Sequence, residues 1–245
     1  MKSTFYSPPM PKSTVEEIRA RFDADVERFS NLETGQSAAI DSPLCLELIA
    51  QAASAVSPHA KSLLDVGCGA GNYTLKLLQA LPNLDCTLVD LSLPMLERAG
   101  QRVEAATSGP VHIVQGDIRD IELGEARFDV IVAAAVLHHL RSESEWLAVF
   151  HKFHHALRTG GCLWVFDMVE HTLPPVQKFM AARYGDYLNE QGGAAYRDKV
   201  FGYIEKEDTP ATLMQQLDWL RAVGFEKREV LHKNSCFAAF GAVKD

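Results

Sequence analysis

Seven residues, Asp65-Val66-Gly67-Cys68-Gly69-Ala70-Gly71, stand between a short apolar run and a helical pattern. Glycines at a strand-to-helix turn let backbone N–H groups approach a ligand closely and open dihedrals closed to other residues. A GxGxG turn is shared by several nucleotide-binding folds, and two details narrow it here. The dinucleotide fingerprint wants a third glycine where this chain has Asn72. Asp65, beside the glycines, would meet a pyrophosphate with like charge but would favour a ligand carrying a sulfonium and an ammonium group.

Two further acids follow in series. Asp90 closes the next apolar run, about 20 residues beyond the glycines, where an acid accepts from ribose hydroxyls. That spacing reads as a nucleoside without saying which one. Asp90 also suits a helix N-cap ahead of Ser92-Leu93-Pro94. Asp117, in Gly116-Asp117-Ile118, could accept from an adenine amino group while Ile118 packs on the ring, or could serve a plain turn. His138 and His139 follow Val136-Leu137 and are the candidate proton acceptors, since imidazole titrates near neutrality. One of the two should face the ligand crevice. No acid close by in sequence gives them metal-ligand spacing, so no metal is expected. His151 and His155 lie one helical turn apart and read as a solvated face.

The elements that must hold these residues can be read from periodicity. Ser13 or Thr14 caps a helix with Glu16 and Glu17 behind it, and Val15, Ile18, Phe22, Val26 and Phe29 make one continuous stripe. After a polar break from Ser30 to Ser37, a second helix runs to about Ala55 and stops before Pro58. Strands are expected at Ser62 to Val66, Asp85 to Asp90, Val111 to Gln115, Phe128 to Ala133 and Cys162 to Phe166. Helices lie between most of them, and a turn at Thr159-Gly160-Gly161 precedes the fifth strand. Alternation of this kind implies parallel βαβ units. Residues 169–210 read as a helical insertion over the ligand-bearing sheet edge, punctuated by Gly185, Gly192, Gly193 and Gly202. Its Tyr184, Tyr187, Tyr196, Arg197 and Tyr203 suit either an acceptor pocket or helix packing, and Tyr184, Tyr196 and Arg197 are the substrate candidates. Glu205 to Asp208 reads as a solvated acidic loop. A helix from Leu213 to Val223 ends at Gly224, and two strands joined near Lys233-Asn234 close the chain, with His232 and Lys233 in the turn.

Composition sets outer bounds. The chain has 245 residues, 47% hydrophobic, enough for one sizeable core, and a formal net charge of −8 that disfavours extended nucleic-acid binding. No apolar run approaches the roughly 20 residues of a membrane span. Five scattered cysteines, without a CxxC pair, read as reduced thiols and point to a cytoplasmic protein. Residues 1–12 form an expected flexible arm, 13–59 a helical lid, and 60–245 the main domain carrying the 169–210 insertion.

The segments LLDVGCGAG, LVDLSLPML, QGDIRD, FDVIVAAAVLHHL and LRTGGCLWVFD occur in the order and spacing of the class I S-adenosylmethionine (SAM) dependent methyltransferases, and the chain resembles that family closely over residues 60–170. The closing Gly224-Phe225 hairpin extends the likeness. The resemblance implies a Rossmann-like α/β fold with a seven-stranded sheet, order 3-2-1-4-5-7-6, strand 7 antiparallel and helices on both faces. It implies SAM as cofactor. Asp65, Gly67, Cys68, Gly69 and Gly71 would hold its methionine portion, Asp90 its ribose with Leu91 beside the adenine, Asp117 and Ile118 the adenine edge, and Ala133 and Ala134 would line the sulfonium. The expected reaction is methyl transfer to a small-molecule acceptor, in a protein without membrane partners and possible as a homodimer. A subgroup, the carboxy-SAM synthases of tRNA wobble-uridine modification, shares the Phe22-Asp23 start and the closing hairpin. This chain departs from it at Ala134, where asparagine is expected, and in the spacing of Arg197. An NAD-dependent oxidoreductase and a SAM-binding regulator without turnover compete with these readings. Asn72 and Asp65 speak against the oxidoreductase, and release of S-adenosylhomocysteine would exclude the regulator.

Overall fold

The computed structural model describes residues 11–31 and 35–245, so most of the expected arm lies outside the described residues. Seven strands form one sheet: β1 (Ser62–Val66), β2 (Asp85–Asp90), β3 (Val111–Gln115), β4 (Phe128–Ala134), β5 (Leu157–Met168), β6 (Lys227–Asn234) and β7 (Phe237–Val243). Their order is β3-β2-β1-β4-β5-β7-β6, with β7 antiparallel to both neighbours and the rest parallel. This is the topology that the motif series implies.

The apolar residues of the central strands alternate between two packed layers. Leu63, Val130, Val132 and Trp164 face one core with α3 (Ser42–Val56), α4 (Asn72–Ala80) and α5 (Leu93–Glu104). Leu64, Ile131, Leu163 and Val165 face the other, with α6 (Glu143–Ala156) and α8 (Leu213–Ala222). Strands buried on both faces need continuous apolar runs, which is why β1 and β4 are nearly uninterrupted in sequence. Chain order leaves β1 outward through β2 to β3, then returns to place β4 on the other side of β1. Ligands in open α/β sheets sit at the carboxyl ends of strands, at such a reversal.

Several sequence expectations are corrected. The N-terminal stripe is two helices, α1 (Val15–Asp23) and α2 (Val26–Ser30), broken at Ala24-Asp25. The expected turn before the fifth strand lies inside β5: Phe128 pairs with Leu157, Val130 with Cys162, and residues 158–161 bulge between them. Lys244 ties that bulge down, because Gly160 donates to its carbonyl at 2.8 Å. The last turn falls at Ser235-Cys236, which puts His232 and Lys233 inside β6, and His232 Nε2 lies 2.8 Å from Asp41. In the insertion, α7 (Pro174–Glu207), only Gly192 and Gly193 leave helical dihedrals, while Gly185 and Gly202 stay within the helix. No helix among the described residues is long and apolar enough to cross a membrane.

Candidate active site

A cavity of about 290 Å³ opens at the carboxyl ends of β1, β2 and β4. Asp65, Gly67, Cys68, Gly69, Asp90, Leu91, Asp117, Ile118 and Ala134 all line it. Two of the residues expected to hold the cofactor do not. Gly71 turns its α-carbon toward Ala99 and Val103 of α5, and Ala133 is buried in the core of the sheet. Ala135 and Val136 take the wall that Ala133 was expected to supply. Ala135 holds φ +52°, a conformation costly for a residue with a side chain, and its N–H donates to Phe166 O at 2.7 Å. The strained residue swings the chain out of β4 and over the cavity.

The three acids are placed differently. Asp65 is buried and accepts from the Thr74 hydroxyl at 2.7 Å and the Thr74 N–H at 3.2 Å. Burial, reinforced by the charge of Asp90, outweighs those hydrogen bonds and pushes its pKa up to about 7. Asp90 joins two loops: Oδ2 accepts from Gly69 N at 2.8 Å and Oδ1 from Ser92 N at 2.9 Å. Each of its oxygens keeps a further lone pair for a ligand hydroxyl. Burial raises the Asp90 pKa against these bonds. Asp117 is gripped by Arg119 at 2.5 and 3.0 Å, and the guanidinium holds its carboxyl below the usual range against the opposing effect of burial.

The N-terminal helices cover the cavity with Ile18, Phe22 and Phe29. Thr14 and Glu17 form a reciprocal capping box at the start of α1. Arg21 then grips Glu207 through three hydrogen bonds of 2.6–2.9 Å, and Ser13 N donates to Lys206 O at 2.8 Å. The cover is therefore latched to the end of α7. Asn72 adds a second latch, donating to Phe29 O at 3.0 Å. The acidic run read as a solvated loop is corrected here: Glu207 and Asp208 are both buried.

The two histidines diverge. His139 lines the cavity; His138 turns behind it, its Nδ1 against the Asp167 carboxylate. Asp167 is fully buried, and its Oδ2 also accepts from the N–H groups of Leu137 (2.8 Å) and His138 (3.1 Å), while Oδ1 accepts from Met168 N (2.7 Å). Asp208, brought in by the end of α7, reaches both rings: its Oδ1 is 3.6 Å from His138 Nε2 and 3.4 Å from His139 Nδ1. Burial disfavours a charged His138, yet Asp167 and Asp208 override it and raise its pKa to about 9. Burial, then the charge of His138, holds His139 well below the ordinary histidine range. His139 Nε2 is buried without a hydrogen-bond partner among the described residues, as is the hydroxyl of Tyr73, another residue of the cavity wall.

Of the substrate candidates, Tyr184 lines a second cavity of about 300 Å³ with Met168, Phe201, Asp208 and Cys236. Its hydroxyl donates to Ala38 O at 2.9 Å. Tyr196 and Arg197 line neither cavity; Tyr196 packs against the core and Arg197 pairs with its neighbour Asp198 at 2.8 Å. Sequence reading missed Arg21, Tyr73, Asp167, Glu207 and Asp208. Only Asp167 carried a signal, as an acid closing a strand like Asp90.

Residues 63–161 match the family model described as a methyltransferase domain. A carboxy-S-adenosyl-L-methionine synthase of Shewanella loihica is 28% identical over 193 residues, covering 77% of this chain and 78% of the relative. Among solved structures, an O-methyltransferase family protein from Burkholderia thailandensis superposes with a TM-score of 0.63 at 16% identity, over 92% of this chain and 59% of that one, so this chain spans less than two thirds of it. The cyclase SpnF gives a TM-score of 0.60 at 17% identity, over 94% of this chain and 79% of that one. The strand order and these likenesses make the chain similar in fold to the class I SAM-dependent methyltransferases, with the match to the methyltransferase-domain model lying over residues 63–161.

Proposed function

We propose that the chain transfers the methyl group of SAM to a small-molecule acceptor. The observation that carries this reading is the enclosure of the cavity: glycine turn and acids on one side, an apolar helical cover latched over the other. Asp65 would neutralise the ligand's ammonium, Asp90 would take the ribose hydroxyls, and Asp117 with Ile118 the adenine. Ala134 and Ala135 would border the sulfonium. Methyl transfer needs alignment of donor and acceptor more than it needs activation, since the sulfonium already activates the carbon. The C–S bond breaks with its electron pair going to sulfur as the acceptor's lone pair forms the new bond. The histidine pair follows the end of β4, with His139 on the cavity side.

A metabolite-extract screen tests the proposal. Acceptor-dependent release of S-adenosylhomocysteine is expected, and SAM binding without turnover on any extract would favour a regulatory role instead. The likeness to carboxy-SAM synthases supports a second reading, in which the bound nucleoside carries an extra carboxylate. Mass spectrometry of the nucleoside that copurifies separates the two. A ligand of SAM or S-adenosylhomocysteine mass is expected.

Two quantitative outcomes belong to the cofactor assignment. Asp90→Ala should weaken SAM binding by about 1–3 kcal/mol, the cost of charged hydrogen bonds to the ribose, and unchanged affinity in calorimetry would remove Asp90 from the contact set. Asp65 should couple binding to protons. With its pKa raised to about 7, it is partly protonated near neutrality before ligand arrives. A cation placed against it favours the carboxylate, so binding should release a fraction of a proton and tighten from about pH 6 to 7.5. Calorimetry in two buffers of different ionisation enthalpy reads this directly, and proton uptake in that window would contradict it.

A further inference from the structure

We infer that His138, His139 and Asp208 form a binding site for one divalent transition metal ion of zinc type, set in the wall between the two cavities. One potential ligand atom from each of His138, His139 and Asp208 lies within 4.8 Å of the other two. The carboxylate oxygen is 3.6 Å from one nitrogen and 3.4 Å from the other. Ligands about 2.0–2.1 Å from a tetrahedral ion stand roughly 3.3–3.4 Å apart, so those two edges fit such an ion with little movement. Two imidazoles, one carboxylate and no thiolate are the donor set of catalytic rather than closed structural zinc sites, which keep a fourth position open.

The surroundings supply one of the two imidazoles with the support that metal ligands need behind them; the Nε2 of His139 has none among the described residues, and its Nδ1 also lies 3.4 Å from Glu207 O. A ligating histidine ordinarily donates its other ring nitrogen to a carboxylate, which fixes tautomer and ring angle. Asp167 does this for His138, and is itself fixed by the backbone N–H groups of Leu137, His138 and Met168. Arg21 is engaged by Glu207, so the side-chain ion pairs of Asp208 among the described residues are with the two imidazoles alone. The three ligands also sit at a functional boundary: His139 lines the cofactor cavity and Asp208 lines the second one.

The role of the ion rests on the methyl-transfer reading. A small hydroxyl compound entering through the second cavity would give its oxygen to the open position. The ion lowers the pKa of that hydroxyl, and the proton leaves to solvent. The oxygen's lone pair then forms the O–CH3 bond as the S–CH3 bond breaks toward sulfur, giving a methyl ether and neutral S-adenosylhomocysteine. The acceptor class is thus a hydroxyl-bearing molecule with an apolar body, suited to walls of Met168, Tyr184 and Phe201.

The test needs neither SAM nor an acceptor. The full chain, stripped of metal, is titrated with zinc chloride against a chromogenic chelator, and separately with cobalt chloride while the visible spectrum is recorded. One zinc per chain and an intense tetrahedral cobalt band are expected. Asp167→Asn should weaken zinc binding about 10–100-fold, the usual effect of losing a ligand's outer partner. His151→Ala with His155→Ala, which removes the exposed one-turn pair on α6, should leave zinc binding and the cobalt band unchanged. Absence of the cobalt band in the wild-type chain would overturn the site without relying on any variant's folding. So would zinc binding that survives Asp208→Ala, or that is lost with the α6 pair. Because SAM affinity is measured separately, a failed metal titration beside intact SAM binding defeats this inference alone.

Discussion

Asp167→Ala is expected to lower the stability of the chain by about 3–5 kcal/mol, the usual cost of stripping one partner from a buried charge pair. The carboxylate is fully buried and accepts from three backbone N–H groups besides facing His138 Nδ1. Alanine leaves all of those donors in a space that water does not readily reach, and each unpaired buried polar group is itself costly. The damage falls on the 3-10 turn Leu137–His139, whose first two N–H groups Asp167 anchors. Turnover should therefore fall along with stability. Asp167→Asn keeps an oxygen for part of this network and should cost less. Urea denaturation of the three proteins side by side gives the comparison, and a loss below about 1 kcal/mol for the alanine variant would show that the turn is held by something else.

Gly67→Ala should have the next largest effect, and on two sites at once. Gly67 holds φ +66°, and a β-carbon there would lie 2.6 Å from Cβ and Cγ2 of Val136. The left-handed conformation costs a residue with a side chain roughly 1–2 kcal/mol, and overpacking adds about 1–3 kcal/mol. Val136 leads directly into the histidine turn, so it cannot yield without moving His138 and His139. SAM affinity should drop at least about tenfold, which corresponds to 1.4 kcal/mol. Gly160→Ala is the matched control: it also has positive φ, at +79°, but nothing lies within 4 Å of the added carbon, and the site is remote. That variant should lose a little stability and no SAM affinity. Equal effects of the two substitutions on affinity would mean that backbone strain, not the contact with Val136, is what matters.

How far such residues could be foreseen depended on the range of the forces involved. The bounds of β1, β2 and β3 are legible because each is a short run bounded by turn residues, and local patterning decides such strands. Gly160-Gly161 misleads for the same reason: locally they make a turn, but pairing with β4 and the bond to Lys244 hold them in a bulge of a longer strand. Part of the first cavity's wall was readable because Asp65 and Asp90 lie at the carboxyl ends of adjacent strands, so that topology alone brings them together. Glu207 and Asp208 were not. A charged run before Thr209-Pro210 looks solvated until Arg21, some 186 positions earlier, is placed against it. Asp208 reaches the histidines only because α7 ends beside the β4 turn, and no local pattern encodes that meeting. The substrate candidates divide for a similar reason. An aromatic on a helix carries no sequence mark of the face it presents, so Tyr184 met a cavity while Tyr196 and Arg197 did not.

Likeness to a family constrains the fold more tightly than the reaction, since one fold supports several chemistries. The latch between Arg21 and Glu207 matters in this respect. It ties the helices over the first cavity to the end of α7, so on the methyl-transfer reading proposed above an acceptor would approach through the second cavity beside Asp208. On that reading the N-terminal helices would cover the donor, and the α7 insertion would frame the acceptor.

The most direct measurement is a paired calorimetric titration of the intact chain with SAM and with NAD. The account predicts saturable binding of SAM at one site per chain, weakened by Asp90→Ala, and no heat of binding with NAD. Binding of NAD without SAM would contradict it, because a diphosphate would then be resting against Asp65.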